Sequence, residues 1–225
     1  MLSSTDATGA TTLTTTAPSG TTTTSTFGYS QADMMTTASV PGALPASYSY
    51  DSNGLLASTS SPAGVRADTW DMAAGLALLL SDGTNDYLYG PTGTPVEQAG
   101  VSSNDVQYFV SDDQGSTRAL FGASGSIDAT FSYDAYGNLA SSSGTASTPL
   151  LYDGQYLDPT TGLYYLRARW YDPGTDQFAS VDPEVTTTGQ AFAYAGDDPV
   201  NQKRSERDGP MCMGRWLYQR RRLLA

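Results

Sequence analysis

Twenty-three carboxylates, a single thiol and a single ammonium side chain carry most of the reactive chemistry open to this 225-residue sequence. It contains no histidine. That removes imidazole general bases, serine–histidine and cysteine–histidine nucleophiles, and histidine-ligated metals. Cys212 is the lone cysteine, so neither an internal disulfide nor a thiolate cluster is open to the chain. Lys203 is the lone lysine, and no Walker-type phosphate loop occurs. Most enzyme mechanisms are excluded, and no cofactor or metal is expected.

Charge narrows the partners. Before residue 201 the basic side chains are Arg66, Arg118, Arg167 and Arg169, against 21 carboxylates; from residue 201 onward seven basic residues face two acidic ones. An acidic body argues against nucleic acid, whose binding depends on Lys and Arg displacing condensed counterions. The longest apolar stretch, Met72 to Leu80, is interrupted by Gly75 and is far too short for a membrane span. The opening residues Met1-Leu2-Ser3-Ser4-Thr5-Asp6 lack the basic and apolar regions of a signal peptide.

The elements that position these groups follow a repeat. Residues 1–26 are mostly Thr and Ser, which suits either a disordered segment or an extended, Thr-rich strand. From residue 27 an aromatic–Asp pair recurs, at Tyr50-Asp51, Trp70-Asp71, Tyr133-Asp134, Tyr152-Asp153 and Tyr171-Asp172. The Asp-to-Asp step is 20 residues for the first two pairs and 19 for each of the last two steps. A fixed period near 20 marks a stacked-unit architecture.

Each unit reads as a β-hairpin. Aromatics at i and i+2, as in Tyr48-Ser49-Tyr50 and Phe131-Ser132-Tyr133, fall on one strand face. The Asp side chain accepts backbone N–H groups just ahead and starts a turn. Gly54 and Gly137 supply positive φ, and the following Leu opens the returning strand. Helix signals are nearly absent. The fold class expected is all-β: tandem antiparallel β-hairpins forming a curled open sheet, since such units bury their aromatic face only against neighbours.

The run Gly162 to Asp172 reads as a single strand, with Leu163, Tyr165, Arg167 and Arg169 on one face and Tyr164, Leu166, Ala168 and Trp170 on the other. Arg167 and Arg169 are expected to pair with Asp158, Asp172 or Asp176 rather than to hold an anionic ligand, because isolated cations in an acidic protein are neutralised internally. Arg118 is read the same way.

Several blocks together resemble the RHS/YD-repeat family, and in particular its C-terminal RHS repeat-associated core. They are Tyr108-Phe109-Val110-Ser111-Asp112-Asp113-Gln114-Gly115-Ser116-Thr117-Arg118, Gly154-Gln155-Tyr156-Leu157-Asp158, Thr161-Gly162-Leu163-Tyr164-Tyr165-Leu166-Arg167-Ala168-Arg169-Trp170-Tyr171-Asp172-Pro173, Phe178-Ala179-Ser180-Val181-Asp182-Pro183 and Ala193-Tyr194-Ala195-Gly196-Asp197-Asp198-Pro199-Val200-Asn201. The resemblance implies a division into 1–26, YD-type repeats over 27–107, the core over 108–201, and an atypical basic tail over 202–225. It also implies a β-spiral shell that encloses a C-terminal toxin region, a secreted or surface location, and as partners the rest of the shell or that region. A chain of this length is then expected to be part of such a shell, and to self-associate.

Some family members cleave their own chain after the core with two aspartates, one ionised to activate water and one protonated to donate to the leaving amine. Asp182 matches the first. The second aligns near Ala193, and the motif at the cleavage point fails after Pro199, so the resemblance leaves Asp182 as a candidate catalytic residue beside its reading as a turn-forming Asp before Pro183. The tail, with Met211-Cys212-Met213-Gly214-Arg215-Trp216 and Arg220-Arg221-Arg222, reads as a disordered or frameshifted end. The function expected is a structural shell segment of a toxin-delivery protein. The alternatives are an aspartyl autoprotease segment and a glycan- or protein-binding surface module.

Overall fold

The computed structural model describes residues 2–5, 10–16, 22–72, 76–103, 105–182 and 185–200. The chain divides into two compact units, Met1–Asp68 with Tyr156–Ala193, and Thr69–Gln155 with Tyr194–Ala225. The basic tail expected over 202–225 lies outside the described residues.

The first unit holds a seven-stranded antiparallel meander in sequence order: β1 (Leu2–Thr5), β2 (Ala10–Thr16), β3 (Thr22–Tyr29), β4 (Met35–Ser39), β5 (Ala46–Tyr50), β6 (Leu56–Ser61) and β7 (Gly64–Ala67). The second holds an eight-stranded meander: β8 (Thr69–Asp71), β9 (Leu78–Ser81), β10 (Asn85–Tyr89), β11 (Pro95–Gly100), β12 (Val106–Ser111), β13 (Thr117–Gly122), β14 (Ile127–Tyr133) and β15 (Leu139–Gly144). A four-stranded sheet, β16 (Tyr156–Leu157), β17 (Tyr164–Tyr165), β18 (Trp170–Asp172) and β19 (Gln177–Phe178), belongs to the first unit. Among the described residues there are, beyond the strands, short turns, some of them 3-10, and one four-residue α-helix, α1 (Val185–Thr188). The all-β expectation of tandem antiparallel hairpins holds.

Six turns that begin at Ser30, Asp51, Gly90, Asp112, Gly122 and Asp134 share one pattern. The first residue donates its N–H to the carbonyl four residues on, and the fourth residue donates back to the first residue's carbonyl. The fourth residues, Asp33, Gly54, Gly93, Gly115, Gly125 and Gly137, all have positive φ. Each turn follows directly on a slip in strand register. This is the three-residue hairpin loop closed by a bulge with a left-handed residue. Where the first residue is Asp, its side chain finishes the job: Asp51 Oδ1 accepts from the N–H groups of Asn53 (2.8 Å) and Leu55 (2.9 Å). Asp112 and Asp134 do the same for Gln114, Ser116, Tyr136 and Asn138.

Taken at one end of each meander, the repeat therefore steps by 21 residues from Ser30 to Asp51 and by 22 from Gly90 to Asp112 and again to Asp134, and the Gly122 turn lies at the other end. The 19-residue steps read through Asp153 and Asp172 lie outside this series. Tyr152–Gly154 is a single 3-10 turn with Asp153 at φ 52°, and its carboxylate is taken by the Tyr194 hydroxyl at 2.5 Å.

One expected strand is two. Within Gly162–Asp172 the chain reverses, with Leu166 N–H bonded to Arg169 O (2.9 Å), Ala168 N–H to Leu166 O (2.7 Å) and Arg167 at φ 64°. β17 and β18 then pair Tyr165 with Trp170 and Tyr164 with Tyr171. The pattern misled because Leu163, Tyr164, Tyr165 and Leu166 are all buried. With both faces covered, alternation carries no face information.

Candidate functional site

The first unit contains a buried polar seam that joins its two sheets. Asp158, fully buried, starts the turn from β16 to β17. Its backbone N–H reaches Leu163 O, its carbonyl accepts from Gly162, and its Oδ1 accepts the Thr160 N–H at 3.0 Å. The other carboxylate oxygen, Oδ2, accepts the Tyr48 hydroxyl of β5 at 2.7 Å and the Thr161 hydroxyl at 2.9 Å. Arg66 of β7 lies with Nη1 3.8 Å from Asp158 Oδ1. Its guanidinium also grips Asp68 with Nε at 3.0 Å and Nη2 at 3.2 Å, and sits 4.5 Å over the Tyr156 ring.

Aromatic rings complete the seam. Trp170 packs against Tyr48 with centroids 4.4 Å apart and against Tyr165 at 4.9 Å. Its indole N–H donates to the Tyr50 hydroxyl at 3.0 Å, which donates onward to Met35 O at 2.6 Å. The Tyr165 hydroxyl accepts the Leu56 N–H at 3.0 Å, and the Tyr29 hydroxyl donates to Ala179 O.

Burial, reinforced by the Asp158 charge, pushes the Tyr48 phenol well above its ordinary range. Burial does the same to Tyr50, and to Tyr165 with help from Tyr50. These hydroxyls are proton donors held neutral, not nucleophiles. For Arg66 burial alone favours the neutral form, but Asp68, Tyr156 and Asp158 outweigh it and raise its pKa. The carboxylate and guanidinium satisfy one another in low dielectric, which suits cohesion rather than turnover.

Asp182 sits just before α1. Its N–H donates to Ala191 O (2.7 Å) and its carbonyl accepts from Val185 (3.0 Å). The carboxylate lies 3.9 Å from Arg169 Nη1 and 3.4 Å from the Thr188 hydroxyl. The Arg169 guanidinium also stacks over the Phe178 ring at 3.5 Å. The structure places Arg169 beside Asp182 and Asp158 beside Arg66, neither of them a pairing expected from the sequence. Sequence distance hid both choices: Asp158, Asp172 and Asp176 were nearer in the chain. Asp172 instead accepts the Gly174 N–H at 2.9 Å, and burial raises its pKa. Arg118 is neutralised by Asp112, with Nε 2.8 Å from Oδ2.

In the second unit, residues 194–200 are tied to the strands before them. Besides the Tyr194–Asp153 bond, Gln114 Nε2 donates to Pro199 O (3.0 Å) and Val200 O (3.2 Å). Arg66, Asp68 and the Tyr48–Asp158 bond were missed by sequence reasoning. The available signal was local only: Asp158-Pro159-Thr160-Thr161-Gly162 is an Asp-initiated turn one residue longer than the hairpin tips.

The family model for the teneurin YD-shell matches residues 86–198. The chain belongs to the YD-shell family. As a YD-shell protein of the RHS/YD-repeat type, it is a structural shell segment. It is 32% identical over 126 residues to the tRNA3(Ser)-specific nuclease WapA of Bacillus spizizenii, a match covering 52% of this chain and 5% of that protein. It is 35% identical over 120 residues to salivary gland surface protein 1 of Aedes aegypti, covering 52% of this chain and 3% of that protein. The fold is similar to that of a Photorhabdus luminescens Tc holotoxin pore containing TccC3, at TM-score 0.60 and 15% identity, over 85% of this chain and 13% of that one. This YD-shell segment thus spans a small part of the relatives it matches. Among its described residues no helix is long and apolar enough to cross a membrane.

Proposed function

We propose that this chain is a wall segment of a hollow β-shell in a secreted, RHS-type toxin-delivery protein, where it contains a polypeptide cargo and catalyses nothing. The observation that carries this reading is the seam in the first unit. Tyr48 and Arg66 direct their polar groups at Asp158, while Trp170 packs on the Tyr48 ring and donates to Tyr50, and together they hold the core hairpins onto the repeat hairpins. The short share of each relative that is matched supports a part in a larger wall. In this reading residues 27–107 supply repeats, residues 108–201 the core, and the partners are the remaining shell and a C-terminal toxin region. WapA, named as a tRNA nuclease, supports cargo of that general kind.

Asp182 has a structural role here: it receives Arg169 and Thr188 and leads into α1. Intact-mass spectrometry of the purified chain, held for days between pH 5 and 8, tests this. A constant mass, the same for Asp182→Asn, is expected. Spontaneous release of a fixed C-terminal peptide that Asp182→Asn abolishes would replace the wall reading with the autoprotease one.

A further inference from the structure

Strand β15 ends the eight-stranded sheet, and among the described residues β14 is its pairing partner. All six of its residues are exposed. It is the longest of the strands that end a sheet. Its phase in the ladder follows from one bond. Thr145 N–H reaches Asp128 O at 2.9 Å, so Asp128 and Thr145 form a hydrogen-bonded pair. Pairs alternate along an antiparallel ladder. Thr130–Ser143 and Ser132–Ser141 are then hydrogen-bonded pairs as well, and Ser142, opposite Phe131, turns its N–H and C=O away from β14.

That outward edge carries neither charge nor proline. Natural edges are guarded by charge or proline; β15 reads Leu-Ala-Ser-Ser-Ser-Gly, and no charged residue occurs from Leu139 to Tyr152. In a chain of net charge −12, a second copy is repelled from most of the surface, and β15 offers an approach free of carboxylates. We propose that β15 is a homotypic docking edge, pairing antiparallel with β15 of a second copy about a two-fold axis normal to the sheet. Such an axis keeps both sheets facing the same way, so residues of equal parity meet. Ser142 faces its own copy and Ser141 faces Ser143. The hydroxyl pairs already formed by Ser132 with Ser141 (2.7 Å) and Thr130 with Ser143 (2.8 Å) continue across the axis.

Sedimentation velocity on the 225-residue chain over a range of concentrations tests the proposal. The wild type is expected to show a monomer–dimer equilibrium that stops at the dimer. Ser142→Glu and Ser142→Lys each set like charges face to face, and each is expected to weaken the dimer about tenfold or more. An equimolar mixture of the two variants is expected to restore it as a heterodimer, which misfolded variants would not do. A wild type that stays monomeric, a polymer that grows with concentration, or a mixture that stays monomeric would each overturn it.

Discussion

Tyr48 donates its hydroxyl to Asp158 Oδ2 at 2.7 Å, across 110 residues of sequence and with both side chains buried. This bond ties Tyr48 to the Asp158 carboxylate, whose charge the nearby Arg66 guanidinium offsets. Asp158→Ala strips acceptors from Tyr48, Thr161 and the Thr160 N–H together. It is expected to lower stability by about 2–4 kcal/mol, and Tyr48→Phe by about 1.5 kcal/mol, in urea titrations of the first unit's signal.

Two glycines at equivalent turn positions separate backbone strain from steric clash. Gly125 and Gly137 have φ of 81° and 89°, so a methyl group strains both backbones alike. A Cβ on Gly125 meets nothing within 4 Å, whereas one on Gly137 would lie 2.6 Å from the Tyr152 ring. Gly125→Ala should cost about 1 kcal/mol. Gly137→Ala should cost clearly more and perturb the Tyr152 environment, seen as a change in near-ultraviolet circular dichroism.

High pH should unfold the first unit cooperatively. Tyr48, Tyr50 and Tyr165 have folded pKa values raised by burial. Their neutral forms stabilise the fold fully below the unfolded phenol value near 10. Above it the unfolded chain binds fewer protons than the native one, so stability falls as pH rises, by up to about 1.4 kcal/mol per pH unit for each phenol. Tyr50→Phe is expected to shallow that slope in denaturation measured between pH 9 and 11.

Asp172 follows the same rule in a lower pH range, the reverse of a salt-bridged carboxylate. Its folded pKa is raised, with burial the first cause. It is therefore unpenalised below the unfolded carboxylate value and costs stability as pH rises through its folded one. Asp172→Asn keeps an oxygen for the Gly174 N–H. The variant should melt at the wild-type temperature near pH 3 and above it at pH 7, as followed by calorimetry.

The hairpin tips were legible in the sequence, because an Asp accepting N–H groups two and four residues ahead and a glycine with positive φ are contacts closed within five residues. Asp51 with Gly54 and Asp134 with Gly137 show it. The β class and the aromatic–Asp units followed from the same local chemistry. What the tertiary structure alone decided was which tips belong to one series, that Leu166–Arg169 reverses a run which alternation could not resolve, and that Arg66 rather than Arg167 or Arg169 answers Asp158. Those outcomes depend on burial on both faces and on charges brought together from residues as far apart as Arg66 and Asp158. Their energy comes from excluding water, which no spacing along the sequence records.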